Sequence, residues 1–122
     1  MKQKTRRKGA VAVEFAVVMP VIFLFFFGLW EWSRVEMIRQ VSETAVFEAA
    51  RTGTLPGATD ATAETKALDI LDVYMVTGAT VDATISDTES TVSLEVPLDQ
   101  NTWLSSQLYG GKAIQTEITF QK

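Results

Sequence analysis

The sequence predicts an α+β fold: a long N-terminal helix, a second helix and a small antiparallel β-sheet. Three observations carry that prediction. An apolar run, Ala10 to Trp30, holds one charge in 21 positions, Glu14. Apolar residues then recur at three- and four-residue steps until about residue 77, the period of helices with one buried face. From Val81 onward they alternate with polar residues, the period of a half-buried strand.

The first residues are a basic leader, 1–9, with Lys2, Lys4, Arg6, Arg7 and Lys8 and no acid. The run that follows, AVAVEFAVVMPVIFLFFFGLW, would make a helix of about 31 Å at ~1.5 Å per residue, roughly the thickness of a bilayer's hydrocarbon core. The rest of the chain is too small to wrap a stretch that is apolar all round, so 10–30 reads as a transmembrane helix. Pro20 cannot bond the Ala16 carbonyl, and a mild kink is expected there. Trp30 and Trp32 stand where the helix leaves the lipid, as interfacial aromatics do. Five Lys/Arg before the span, against Arg34 and Arg39 just after it, place the N-terminus in the cytoplasm. The expected location is a cytoplasmic (inner) membrane, crossed once, with the C-terminal body outside. A cleaved secretory signal would end in small residues, and LWEWSRVEM offers no such site.

The helix should continue through 31–52 as an amphipathic extension. Val35, Ile38, Val41, Ala45 and Ala49 mark one apolar face, with Glu31/Arg34, Glu36/Arg39 and Glu48/Arg51 at i,i+3 beside it. Gly53 and the following Thr-Leu-Pro-Gly should end it. Residues 53–122 read as a small α+β domain outside the membrane. Its helix is expected from about Asp60 to Thr77, with Ala63, Ala67, Ile70, Leu71 and Tyr74 buried and Gly78 as the stop. Val81, Ala83 and Ile85 face inward on a first strand, and Val92, Leu94 and Val96 on a second, joined by a turn at Asp87–Ser90. A short helix, Thr102–Tyr109, should lead through Gly110-Gly111 to a last strand carrying Ile114, Ile118 and Phe120 inward with Thr116 in phase. The cluster Trp103/Leu104/Leu108/Tyr109 is expected to cap the sheet, the alternative being contact with partner subunits.

Composition removes most catalysis. There is no histidine and no cysteine, so zinc clusters, thiol nucleophiles, Ser–His pairs and disulfides are impossible. Residues 52–122 carry ten acids against three bases, which opposes binding to nucleic acid. Asp82, Asp87, Glu89 and Glu95 lack the ligand spacing and glycine of a calcium loop, and read as solvated acids. No metal, cofactor or small-molecule substrate is expected, and no enzyme activity.

Glu14 does not fit a plain anchor. An ionised carboxylate near the bilayer centre costs about 2.5–3.5 kcal/mol or more, although ~6 Å of helix from Ala10 would let Glu14 reach water at the cytoplasmic face. Its setting is specific: a basic leader, Gly9, Ala10-Val11-Ala12-Val13, Glu14, then a long apolar helix. That order resembles the signal of type IV pilin-like proteins, which a membrane-embedded peptidase cuts after the glycine. The run GAVAVEFAVVMP…GLWEWSR further resembles the N-terminal signature of the TadE-like family, small pilin-like proteins of Tad (tight adherence) pilus systems. The resemblance covers about residues 6–36.

It implies a pilin-like architecture, processing between Gly9 and Ala10, and an assembly role for Glu14. A glycine admits close approach of a peptidase. Glu14 would then neutralise the new α-amine of a neighbouring subunit as helices pack side by side. The implied partners are membrane lipid, other pilin-like subunits, Tad assembly proteins and a prepilin peptidase. Ala10 stands where many type IV pilins have phenylalanine, the residue that is N-methylated. Phe15 follows Glu14 where the major Tad pilins have tyrosine, and the body is much longer than theirs. A minor pilin or pseudopilin, assembling an adhesive pilus or related secretion apparatus, fits these departures. The alternative is an unprocessed single-pass anchor whose exterior domain binds a partner; a membrane-tethered enzyme using carboxylates alone is a distant third.

Overall fold

The computed structural model describes residues 3–122, without the side chains of residues 3–8, Ser105 and Ser106. The basic side chains of the leader therefore lie outside the described residues. The element order is α1 (Gln3–Gly53), α2 (Asp60–Val73), β1 (Thr80–Ile85), β2 (Glu89–Pro97), α3 (Ser105–Leu108) and β3 (Ala113–Gln121). This is the α+β fold expected. Two compact units divide the chain, Met1–Ser33 and Arg34–Lys122.

In the first unit the backbone is helical from Gln3, earlier than the expected start at Ala10, and it stays helical through Pro20. From Gly9 to Trp30 no side chain is buried. The helix is long and apolar enough to cross a membrane.

The second unit has a core of its own. From α1 come Ile38, Val41, Ala45, Val46, Ala49 and Ala50, from α2 Ala63, Ala67 and Leu71, and from the sheet Ala83, Val92, Leu94 and Val96. Every member of the expected α1 stripe is buried except Val35, which is half-buried against the same core. Phe47 meets Phe120 edge to face, centroids 5.4 Å apart, so the α1 stripe and β3 close on one another. Glu36 and Arg39 form an exposed pair at 3.7 Å, worth about 0–1 kcal/mol. Glu48 and Arg51 do not pair among the described residues, and Arg34 sends its guanidinium to the carbonyls of Met75 and Asn101.

The sheet is an antiparallel meander, β1-β2-β3, with β2 central. Its register sets Val81 opposite Leu94, Ala83 opposite Val92, Val92 opposite Ile118 and Val96 opposite Ile114. The alternation read from sequence is therefore the inner face of this sheet. The turn falls earlier than expected. Ser86 N–H donates to the Glu89 carbonyl at 2.8 Å, the chain reverses at Ser86–Thr88, and Ser90 is already in β2 opposite Ile85.

The second helix also ends early, at Val73 rather than Thr77. Thr59 caps its start, accepting from Thr62 N–H at 3.3 Å. At its end Val76 N–H reaches the Leu71 carbonyl at 3.0 Å and Met75 N–H the Asp72 carbonyl at 2.9 Å, the double closure of a Schellman motif. The left-handed position belongs to Met75, at φ 55°, and Gly78 takes a later turn at φ 71°. Ending there leaves Tyr74 outside the core, against expectation. The short third helix covers only Ser105–Leu108 of the expected Thr102–Tyr109. Of the cluster meant to cap the sheet, Tyr109 packs on the core, while Trp103, Leu104 and Leu108 are exposed.

Gly53 is fixed by packing. A Cβ there would run into the Ser90 hydroxyl and lie 2.9 Å from Ile85 Cδ1. The Ser90 hydroxyl is itself fully buried with no hydrogen-bond partner in the structure. Removing it should therefore stabilise the exterior unit: Ser90→Ala is expected to gain about 1 kcal/mol. Gly53→Ala should lose about 1–3 kcal/mol by overpacking. Amide hydrogen exchange of β2 in the full chain reads both, slower in the first variant and faster in the second. Met75→Gly, which relieves a left-handed non-glycine residue, should slow exchange in α2 by an amount equivalent to about 0.5–1 kcal/mol.

Candidate functional site

The residues singled out in the N-terminal helix lie on the apolar span or just beside its ends, all within α1. Gly9 is within α1, and a Cβ built there meets nothing within 4 Å. Ala10 is exposed beside it. Glu14 is one turn further along and solvent-facing, with no hydrogen-bond or ion-pair partner among the described residues. Around it Val11, Val13, Phe15, Val17 and Val18 are all exposed. Pro20 lies inside the helix, six residues beyond Glu14. Trp30 and Trp32 close the run and are 76% and 71% exposed.

Physically this is an apolar rod with one carboxylate near its N-terminal end. Among the described residues none supplies a counter-charge to Glu14. What it can do chemically is limited to attraction: it can accept hydrogen bonds from, or pair with, a cation brought by another molecule. In a low-dielectric setting that attraction strengthens, and so does the penalty for leaving the carboxylate alone.

One comparison bears on this helix. Residues 9–51 match the family of TadE-like proteins. The matched segment begins at Gly9, includes Glu14, Pro20 and both tryptophans, and ends within α1. It ties the helix to the pilin-like proteins of Tad pilus systems, a family that is generally non-enzymatic and that associates with membrane and pilus components. No curated protein and no solved structure matches the chain.

The exterior unit carries no second centre of this kind. No group of three or more acidic residues that could hold a metal ion occurs among the described residues. Asp82, Glu95 and Glu117 share the outer face of the sheet with Thr80, Ser93 and Gln115, and Gln115 Nε2 donates to Glu95 Oε2 at 3.1 Å. Asp87 lies at the turn and Glu89 at the start of β2.

Sequence reading missed Asn101. Its side chain is the polar junction of the exterior unit. Nδ2 donates to the carbonyls of Thr77 at 2.7 Å and Pro97 at 2.8 Å, and Oδ1 accepts from Thr77 N–H at 2.8 Å. Its own carbonyl accepts from Arg34 Nε at 3.3 Å. Its side-chain amide thus joins the turn after α2 to the end of β2, and its backbone carbonyl adds Arg34 of α1. A single asparagine in a polar stretch, Asp99-Gln100-Asn101-Thr102, gives no sequence signal that would set it apart. Asn101→Ala should cost about 2–4 kcal/mol, because it removes three buried side-chain hydrogen bonds and orphans their partners. The expected readout is a rise in amide exchange across β2 of about thirtyfold or more, with the apolar span of α1 unaffected.

Proposed function

We propose that this chain is a minor pilin or pseudopilin of a Tad-type adhesive pilus or related secretion apparatus. It enters the bacterial inner membrane with its N-terminus in the cytoplasm, is cut between Gly9 and Ala10, and acts by helix packing rather than catalysis. The observation that carries the reading is the carboxylate of Glu14, which has no partner among the described residues and lies five residues beyond Gly9 on a helix whose apolar side chains are not buried.

Gly9 supports processing in its own right. Glycine inside a helix costs about 0.8–1 kcal/mol relative to alanine, and nothing in this structure needs the space it leaves. A peptidase that must approach the backbone closely does need it. Cleavage exposes the α-amine of Ala10, positive at neutral pH, which is the cation Glu14 lacks. Within one helix that amine and Glu14 are one turn apart. Between two helices the same pair sets an axial register, since any slip leaves both charges unpaired in hydrocarbon. Its partners are then lipid, other pilin-like subunits and the assembly proteins that draw it from the membrane.

Two measurements test this. The mass of the chain produced beside its own prepilin peptidase should correspond to a start at Ala10; retention of Lys2–Gly9 would leave the unprocessed anchor as the better reading. Glu14→Ala should insert in the membrane and be processed normally, yet fail to enter assemblies, while Glu14→Asp should recover part of the loss. Assembly at the parental level by Glu14→Ala would refute the role given to the carboxylate.

A further inference from the structure

The three-stranded sheet has two edges, and the fold treats them differently. Along an antiparallel ladder, alternate residues bond the neighbouring strand, while the others direct their N–H and C=O groups away from it. At the β1 edge, Ser86 N–H bonds the Glu89 carbonyl, so Ile85 points outward, and its N–H donates to Asp60 Oδ1 at 2.8 Å. Helix α2 lies against that strand. At the β3 edge, Leu98 N–H donates to the Lys112 carbonyl at 3.0 Å and Lys122 N–H to the Thr88 carbonyl at 2.9 Å. The register between those points is unbroken, so Ile114, Thr116, Ile118 and Phe120 bond β2. Gln115, Glu117, Thr119 and Gln121 therefore present their backbone groups outward, and among the described residues no hydrogen bond reaches those groups.

The core is also less closed beside this edge. Val92 and Val96 of β2 are fully buried, whereas Ile118 and Ile114 opposite them on β3 are half-buried. Phe47, packed edge to face on Phe120, is 44% exposed. Natural edge strands are blunted by proline, by bulges or by charge. Across its nine residues β3 has neither proline nor bulge, and its one charge is Glu117.

We infer that β3 is an interaction surface for a second copy of this chain, the two β3 strands pairing antiparallel about a two-fold axis at Thr119. A two-fold contact must be complementary to itself, and the sequence of this edge meets that condition. An axis at Glu117 would set two carboxylates directly opposite one another, and an axis at Ile118 would leave them diagonal neighbours, both destabilising. With the axis at Thr119, each Glu117 faces the partner's Gln121, and the carboxylates stand about 13 Å apart along the strand. The same register sets each Ile118 opposite the partner's Phe120, a β-branched residue against an aromatic one, on the face where the core is open. The proposal lies wholly within the exterior unit, and neither the placement of the N-terminal span nor its processing enters it.

The test uses the full chain in detergent micelles. The chain has no cysteine, so each variant carries a single thiol. With Thr119→Cys, oxidation should cross-link two copies, because residues facing one another in a hydrogen-bonded pair have Cα atoms about 5.5 Å apart, within disulfide range. Gln115→Cys, far from the axis on the same strand, and Thr84→Cys, on the same face at the other edge, should stay uncross-linked. Adding Gln121→Pro to Thr119→Cys removes only an outward N–H. It should slow cross-linking about tenfold or more while the β2 amides stay as protected as in the parent. In the parent chain, raising the protein-to-micelle ratio should protect the amides of Glu117, Thr119 and Gln121, and leave that of Gln115 exchanging. Equal cross-linking at all three positions would report collisions or another register and overturn the proposal, as would a proline variant that cross-links at the parental rate. Amides at Glu117, Thr119 and Gln121 that gain no protection at the highest ratio would overturn it without any variant. Protection with no disulfide at Thr119 would mean that the edge is covered in another way, and the two-fold pairing falls.

Discussion

A helix that is apolar on every face must be covered by something other than water, and from Gly9 to Trp30 nothing in its unit covers it. That requirement governs the rest of the molecule. The backbone meets it by satisfying its own polar groups within the helix, the condition for crossing hydrocarbon. Pro20 relaxes the condition at a single carbonyl, that of Ala16, as transmembrane helices tolerate. The residues from Arg34 onward form a unit with its own core. It reuses the chain of α1 beyond Arg34, where the pattern changes from apolar all round to a single stripe.

That core is made with little material. The helices contribute mostly alanine, so the elements approach closely and each contact is small. Such a unit tolerates few buried polar atoms, and the ones it has are instructive. Ser42 is fully buried but donates to the Ile38 carbonyl at 2.7 Å, so its own helix satisfies it. Asn101 is satisfied from two loops at once and in return fixes their spacing. Ser90 is satisfied by nothing in the structure and sits against Gly53, where a larger neighbour could not fit. The pair is a place where packing took precedence over hydrogen bonding.

What could be read in the sequence was what depends on period. Val81, Ala83 and Ile85 alternate, and so do Val92, Leu94 and Val96; the register pairs them across the sheet as their alternation requires. The α1 stripe was legible for the same reason. Boundaries set by single conformations were not. Gly78 looks like the stop of α2 because glycine is the usual left-handed residue, yet the closure falls at Met75, driven by burial of Leu71 and Val76 on either side of the turn. Tyr74 was expected inward as the last member of the α2 stripe, and Trp103 as part of a cluster capping the sheet. The helix stop leaves Tyr74 outside, and the loop after Asn101 leaves Trp103 there too. In the N-terminal helix the motif from Gly9 to Trp32 was legible as a whole, since its order, rather than any packing, carries the information.

The glycines of α1 separate what the fold needs from what it does not. Gly53 is explained internally: the neighbouring Ser90 and Ile85 exclude a side chain. Gly9 and Gly28 have open space where a Cβ would be, and neither has the backbone conformation that demands glycine. Gly28 lies in the span, where glycine is common because lipid holds the helix together regardless of propensity. Gly9 lies at the edge of the span, where that protection fades and the cost of a flexible residue in a helix returns. Glu14, one turn and a half away, is equally unexplained from within, a carboxylate with no partner among the described residues. The proposed processing would account for both residues together: opening the chain at Gly9 would use the backbone access that glycine gives and create the positive charge that Glu14 lacks among the described residues.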